Sequence, residues 1–148
     1  MQQAKNVLPS DTIYCGYDGF EGIEIVYDLT SIPQKITMLS SFDPKATDGK
    51  SATFIQNYTK QYGAETLNAI GASAYDCVYS IFGAMKEALD AGERFTPDAT
   101  PSALCKILQK QFNGGYTFAG VTGERIRWHD TGFVNKRPIA YVIKEKTT

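Results

Sequence analysis

Between about Leu67 and Ala91 the apolar residues fall at helical spacing, with Ile70, Ala74, Cys77, Val78, Ile81, Phe82, Met85 and Leu89 on one wide face, and Gly92 closes the run. A helix of that kind demands a covering layer, so the chain must fold as packed layers of secondary structure. Two further helical patterns flank it. Phe54, Ile55, Tyr58 and Tyr62 describe an amphipathic helix over 51–62 that stops at Gly63. Thr100-Pro101 reads as an N-cap followed by a proline at the first helical position, after which Leu104, Ile107, Leu108 and Phe112 line a helix ended by Asn113-Gly114-Gly115. Phe20, Ile23, Val26 and Tyr27 predict a shorter helix that breaks at Ser31-Ile32-Pro33. Elsewhere the chain reads as strand. Thr12–Cys15, Ile36–Phe42, Arg125–Trp128 and Ile139–Ile143 are the β-prone runs, and His129-Asp130-Thr131-Gly132 is turn-like. Strands alternating with helices, then a late hairpin, predict an α/β domain with a partly parallel sheet and a C-terminal β-hairpin.

The balance of charge narrows the partners. Fifteen basic and sixteen acidic residues give a net charge of −1, which provides no cationic field for nucleic acid or an anionic membrane. With 148 residues the chain predicts one domain, long enough to bury about 68–70% of its unfolded surface without staples. No apolar run approaches the ~18–20 residues of a membrane span, and Met1-Gln2-Gln3-Ala4-Lys5-Asn6 is too polar for a signal peptide. Cys15, Cys77 and Cys105 are far apart, and the chain holds a single histidine and no CxxC. No metal site is expected, and each thiol lies in an apolar stretch where free cysteine behaves as a small buried hydrophobe.

Few segments carry chemistry. Gly49-Lys50-Ser51, after a predicted strand and before a predicted helix, matches the end of a phosphate-binding loop. The rest of that motif fails, because Pro44 stands where its first glycine belongs and Asp48 adds a negative charge, so a solvated helix-entry loop is the competing reading. His129 sits in the predicted turn with no nucleophile signature beside it. Asp18 is close in sequence to Glu21 and Glu24, a spacing that sets no carboxylate separation. No catalytic residue and no cofactor follow. The informative feature is Gly16-Tyr17-Asp18-Gly19-Phe20 after the first strand. Ligands of open α/β sheets collect beyond the carboxyl ends of strands, where a carboxylate suits an ammonium, although an aspartate here can equally be a turn former.

That pentapeptide is followed in order by Phe42-Asp43-Pro44 with Phe54 to Tyr62-Gly63, by Ala74-Tyr75-Asp76-Cys77-Val78, and by Gly120-Val121-Thr122-Gly123 with Trp128-His129-Asp130-Thr131-Gly132. The series resembles the C-terminal portion of the type I periplasmic-binding-protein family, the branched-chain amino-acid (leucine/isoleucine/valine) receptors of ABC importers. The resemblance implies a partial type I, Rossmann-like fold, in which residues 1–41 and 120–148 belong to one lobe and 42–119 to the other. It further implies non-covalent binding of an amino acid between lobes and no enzymatic step. Asp18 would receive the ligand ammonium, Tyr75 would border the ligand, and Tyr17 and Phe42 would be cleft neighbours. The donors for the ligand carboxylate belong to the family's N-terminal half, so the site implied here is incomplete and amino-acid binding by this chain weak or absent. An ABC permease is the implied partner if the chain is part of a longer one. The implied address is extracytoplasmic, periplasmic or on a cell-surface lipoprotein. Incomplete lobes leave the long helix's apolar stripe and the strand edges without partners, which predicts a homodimer or a domain-swapped assembly. The alternative function is a self-associating assembly module that binds no ligand.

Overall fold

The β-branched runs and the helical stripes divide the chain as their periods require. In the computed structural model, which describes residues 1–96 and 98–147, strand β1 (Ile13–Gly16) leads through a 3-10 turn (Asp18–Phe20) and a one-turn helix, α1 (Ile23–Val26), to β2 (Lys35–Ser40). Three longer helices follow: α2 (Gly49–Tyr62), α3 (Ala69–Asp90) and α4 (Pro101–Asn113). Short strands β3 (Thr117–Phe118), β4 (Ile126–Trp128) and β5 (Val134–Asn135) precede the closing strand β6 (Ile139–Lys144). The chain is mixed α/β, about 40% helix, with small sheets.

One sheet has the order β1-β2-β6. β1 runs parallel to β2, and β6 returns antiparallel on the other side of β2. Ile36, Met38 and Ser40 alternate inward from β2. Leu29, Ile32 and Ile36 form the core of this part, with Tyr14, Phe20, Ile23 and Ile143 packed against it. The second sheet, β3-β4-β5, is antiparallel and rests beside α4, where the Trp128 ring lies 4.6 Å from Phe112 and stacks on Tyr116 at 6.0 Å. A separate core of Phe42, Phe54, Ala72 and Val121 joins α2, α3 and the 119–122 loop. Residues 1–41 thus share a sheet with 139–144 alone, while 117–135 accompany the helices.

The helix expected from Phe20 to Tyr27 is reduced to a single turn. Gly22 adopts φ 74°, which no helical residue does, and splits the segment from the preceding 3-10 turn. α4 begins where its cap requires, Thr100 Oγ1 accepting the Ala103 N–H at 3.3 Å with Pro101 next.

The long helix departs most from its sequence pattern. α3 buries Ala72, Asp76, Ser80, Ala84 and Ala88, an i, i+4 row of small and polar residues, and leaves its apolar stripe outside. Ile70 is 78% exposed and Phe82 66%, with Val78, Ile81 and Leu89 also exposed. Small side chains allow closer approach than the stripe would. Tyr116, itself buried, brings its hydroxyl against Gly83. The thiols follow the same correction: Cys15, Cys77 and Cys105 are all exposed rather than buried, Cys77 because it belongs to that outward stripe.

Candidate functional site

β1 ends at Gly16, and the chain turns so sharply that the Phe20 ring folds over that glycine, where any β-carbon would collide with it. Phe20 N–H donates to the Tyr17 carbonyl at 2.8 Å and Glu21 N–H to the Asp18 carbonyl at 3.0 Å, which fixes the turn. Asp18 is therefore presented at the carboxyl end of a parallel strand. Its Oδ1 accepts the Gly19 N–H at 2.9 Å, and the side chain is otherwise in solvent. Among the described residues it is in none of the ion pairs. Tyr17 is exposed beside it.

Glu21 connects this turn to the other core. Its Oε1 accepts the Ala69 N–H, the first amide of α3, at 2.6 Å. Tyr75 stands further along the same helix, 39% exposed, with its ring 4.9 Å from Phe54 and 4.4 Å from Tyr79. Burial, and then the neighbouring Tyr79, raise its hydroxyl above the usual tyrosine pKa. Phe42 is 1% exposed and meets Phe54 edge-on at 5.8 Å, so it reaches Tyr75 only through Phe54. The structure thus groups Phe42 and Tyr75 in one aromatic cluster and Tyr17 and Asp18 on one turn, and Glu21 is the link between them. None of these four lines either of the cavities formed by Met1–Gln3 with Ile32 or by the 119–126 loop.

A third constellation escapes the sequence reading. Asp76, on the buried face of α3, accepts the Val121 and Thr122 N–H groups, each at 2.8 Å, and the Thr122 hydroxyl. Gly120 leaves room for that carboxylate, which would collide with any side chain there. From the opposite side Lys50 Nζ donates to the Ala119 carbonyl at 2.6 Å and Ser51 Oγ to the Val121 carbonyl at 2.7 Å. Gly49-Lys50-Ser51 therefore clamps the 119–122 loop. This gives the tripeptide a structural role neither of its sequence readings included. The helix-spaced Asp76 and the Gly120-Val121-Thr122-Gly123 segment were the available signals, but nothing in the sequence pairs them.

Beside this clamp lies a cavity of ≈ 970 Å³, walled by the 43–51, 119–126 and 135–137 segments and Ile139. His129 is exposed and packs on Phe133 at 6.0 Å. Among the described residues no group of three His, Cys, Asp or Glu is placed to hold a metal ion, and no helix is long and apolar enough to cross a membrane. No protein-family model, curated protein or solved structure matches the chain.

Proposed function

We propose that the chain is the C-terminal portion of a two-lobed, type I solute-binding protein for branched-chain or related amino acids, with Asp18 as the hook for the ligand ammonium. The observation that carries this reading is an exposed carboxylate, unpaired among the described residues, just beyond the carboxyl end of a parallel strand. Its turn is tied by Glu21 to the helix that carries the Tyr75 aromatic wall. Two separate hydrophobic cores support a division into two parts, with residues 117–135 on the helical side and only 139–144 joining residues 1–41. Asp18 holds the amine by a charge-assisted hydrogen bond, Tyr75 and Tyr17 offer apolar flanks, and Phe42 supports Tyr75 from behind through Phe54. An extracytoplasmic role in an ABC importer belongs to the same reading.

With half the enclosure of a small-ligand pocket, affinity falls to the order of millimolar. Amide chemical shifts followed during a leucine titration test this. The expected changes gather at residues 16–20 and around Tyr75, disappear in Asp18→Asn, and are absent with isocaproate, which keeps the carboxylate and side chain but has no amine. Changes elsewhere, or equal changes with isocaproate, reject the reading.

A second reading, a self-associating assembly module, is favoured by one feature of the surface. The chain exposes 10068 Å², whereas a folded monomer of 16.3 kDa exposes about 7,500 Å². The excess of about 2,600 Å² is more than the roughly 800 Å² per partner that a standard interface hides. The outward stripe of α3 supplies its apolar centre, since Asp76 is the one charged residue from Ala69 to Met85 and it is buried. A second copy is the partner that such an uncharged, apolar face suits, since the same face on both chains then covers itself without stranding a charge.

A further inference from the structure

Five cationic side chains, Lys45, Lys50, Arg125, Lys136 and Arg137, line the ≈ 970 Å³ cavity, against three carboxylates, Asp43, Asp48 and Glu124. The ion pairs among the described residues join Lys35 to Glu145, Lys86 to Asp90 and Lys110 to Glu93, so none neutralises a cation of this cavity. Asp43 is already engaged, its Oδ1 accepting the Lys45 N–H at 2.8 Å. Asp48 precedes α2 but its side chain caps none of the first-turn amides, which lie in the cavity wall. Lys50 spends one donor on the Ala119 carbonyl. Lys45, Arg125, Lys136 and Arg137 have no hydrogen-bonded side-chain partner among the described residues. Lys136 is half-buried, and burial lowers its pKa. Asp76, which opposes that shift, is committed to Val121 and Thr122. The fold thus half-buries a cation whose opposing carboxylate, Asp76, has its hydrogen-bonding capacity taken up by Val121 and Thr122, so that Lys136 keeps its own donors for a ligand.

We propose that this cavity binds a small organic polyanion carrying at least two phosphate or carboxylate groups, held by Arg125, Arg137, Lys45 and Lys136 around the amino end of α2. The volume is that of a small-molecule site, within the range of about 300–1,000 Å³. The cations come from three chain segments, so a ligand with separated anionic groups engages more of them than one simple ion does. Arginine forks fit phosphate and carboxylate oxygens in pairs. The three segments include the two connections that leave β2 and enter β6, so the ligand sits where the chain passes between its two cores.

The test is calorimetric titration of the whole chain with pyrophosphate and, separately, with citrate, at about 0.15 M ionic strength. Saturable binding of either is expected, pyrophosphate alone assigning phosphate chemistry and citrate alone carboxylate chemistry. The Arg125→Ala/Arg137→Ala pair weakens it by about tenfold or more. Lys60→Ala/Lys106→Ala removes the same charge from exposed helix positions outside the cavity and leaves binding unchanged. Equal weakening by both pairs overturns the proposal, as does the absence of saturable binding of either probe. Both arginines are exposed, so an unchanged circular dichroism spectrum and melting midpoint separate lost binding from lost fold. Asp18→Asn leaves pyrophosphate binding intact, so this site and the ammonium hook stand or fall separately.

Discussion

Asp76 shows how one side chain can hold two elements together. Its carboxylate is 4% exposed and satisfies two backbone N–H groups and a hydroxyl of residues that are themselves buried. Asp76→Ala strands those donors and costs on the order of 3 kcal/mol, read as a fall in the urea midpoint at unchanged slope. Asp76→Asn keeps acceptor capacity on one atom and costs less. Gly120→Ala gives a loss of the same sign, because the carboxylate it strikes is anchored by its three bonds and cannot swing away. None of this is visible in the sequence, where the partners stand 45 and 46 positions apart. The turn around Asp18 was legible for the opposite reason. Its glycines, its aspartate and the preceding β-prone run are contiguous, and a tight turn is decided by contiguous residues.

At the scale of elements, the amino end of α3 receives two side-chain acceptors, one local and one distant. Asn68 Oδ1 takes the Gly71 N–H at 2.7 Å, and Glu21 takes that of Ala69 at 2.6 Å. Asn68→Ala therefore lowers stability by about 1 kcal/mol. Glu21→Ala lowers it by a similar amount and, in addition, loosens the Asp18 turn. Chemical denaturation reads both losses, and faster amide exchange at residues 17–20 is expected in Glu21→Ala alone. The local cap belongs to a pattern a sequence displays, as Thr100-Pro101 does for α4. The distant one belongs to tertiary structure. The same distinction explains α3. Its length and period were plain from the apolar stripe, but periodicity records only that a face is apolar. Which face is covered depends on what approaches, and in this fold the row from Ala72 to Ala88 is the buried one, with Phe54 and Val121 packed at Ala72 and Tyr116 closing on the neighbouring Gly83. The second sheet was harder still. β3 and β5 have two residues each, too few for any alternation to register.

For the whole molecule, the surface left by that choice sets its behaviour in solution. Light scattering coupled to size exclusion is expected to give a mass above that of one 16.3 kDa chain. Val78→Glu/Phe82→Lys, an i, i+4 pair of favourable orientation on the exposed stripe, returns the chain to monomer without lowering its melting midpoint. A clean monomer for the unaltered protein removes the assembly reading.

The sheet order has a temporal corollary. β2 lies between a strand made shortly before it and one made about a hundred residues later, since Tyr141 reaches Met38 across 103 positions. On the ribosome the first two strands emerge early and wait, their open edge unpaired, while the helices that follow have everything they need to pack. Completion depends on the final stretch of polypeptide. A nascent chain arrested before residue 139 should hold a protease-resistant helical part alongside an amino-terminal third that is still digestible.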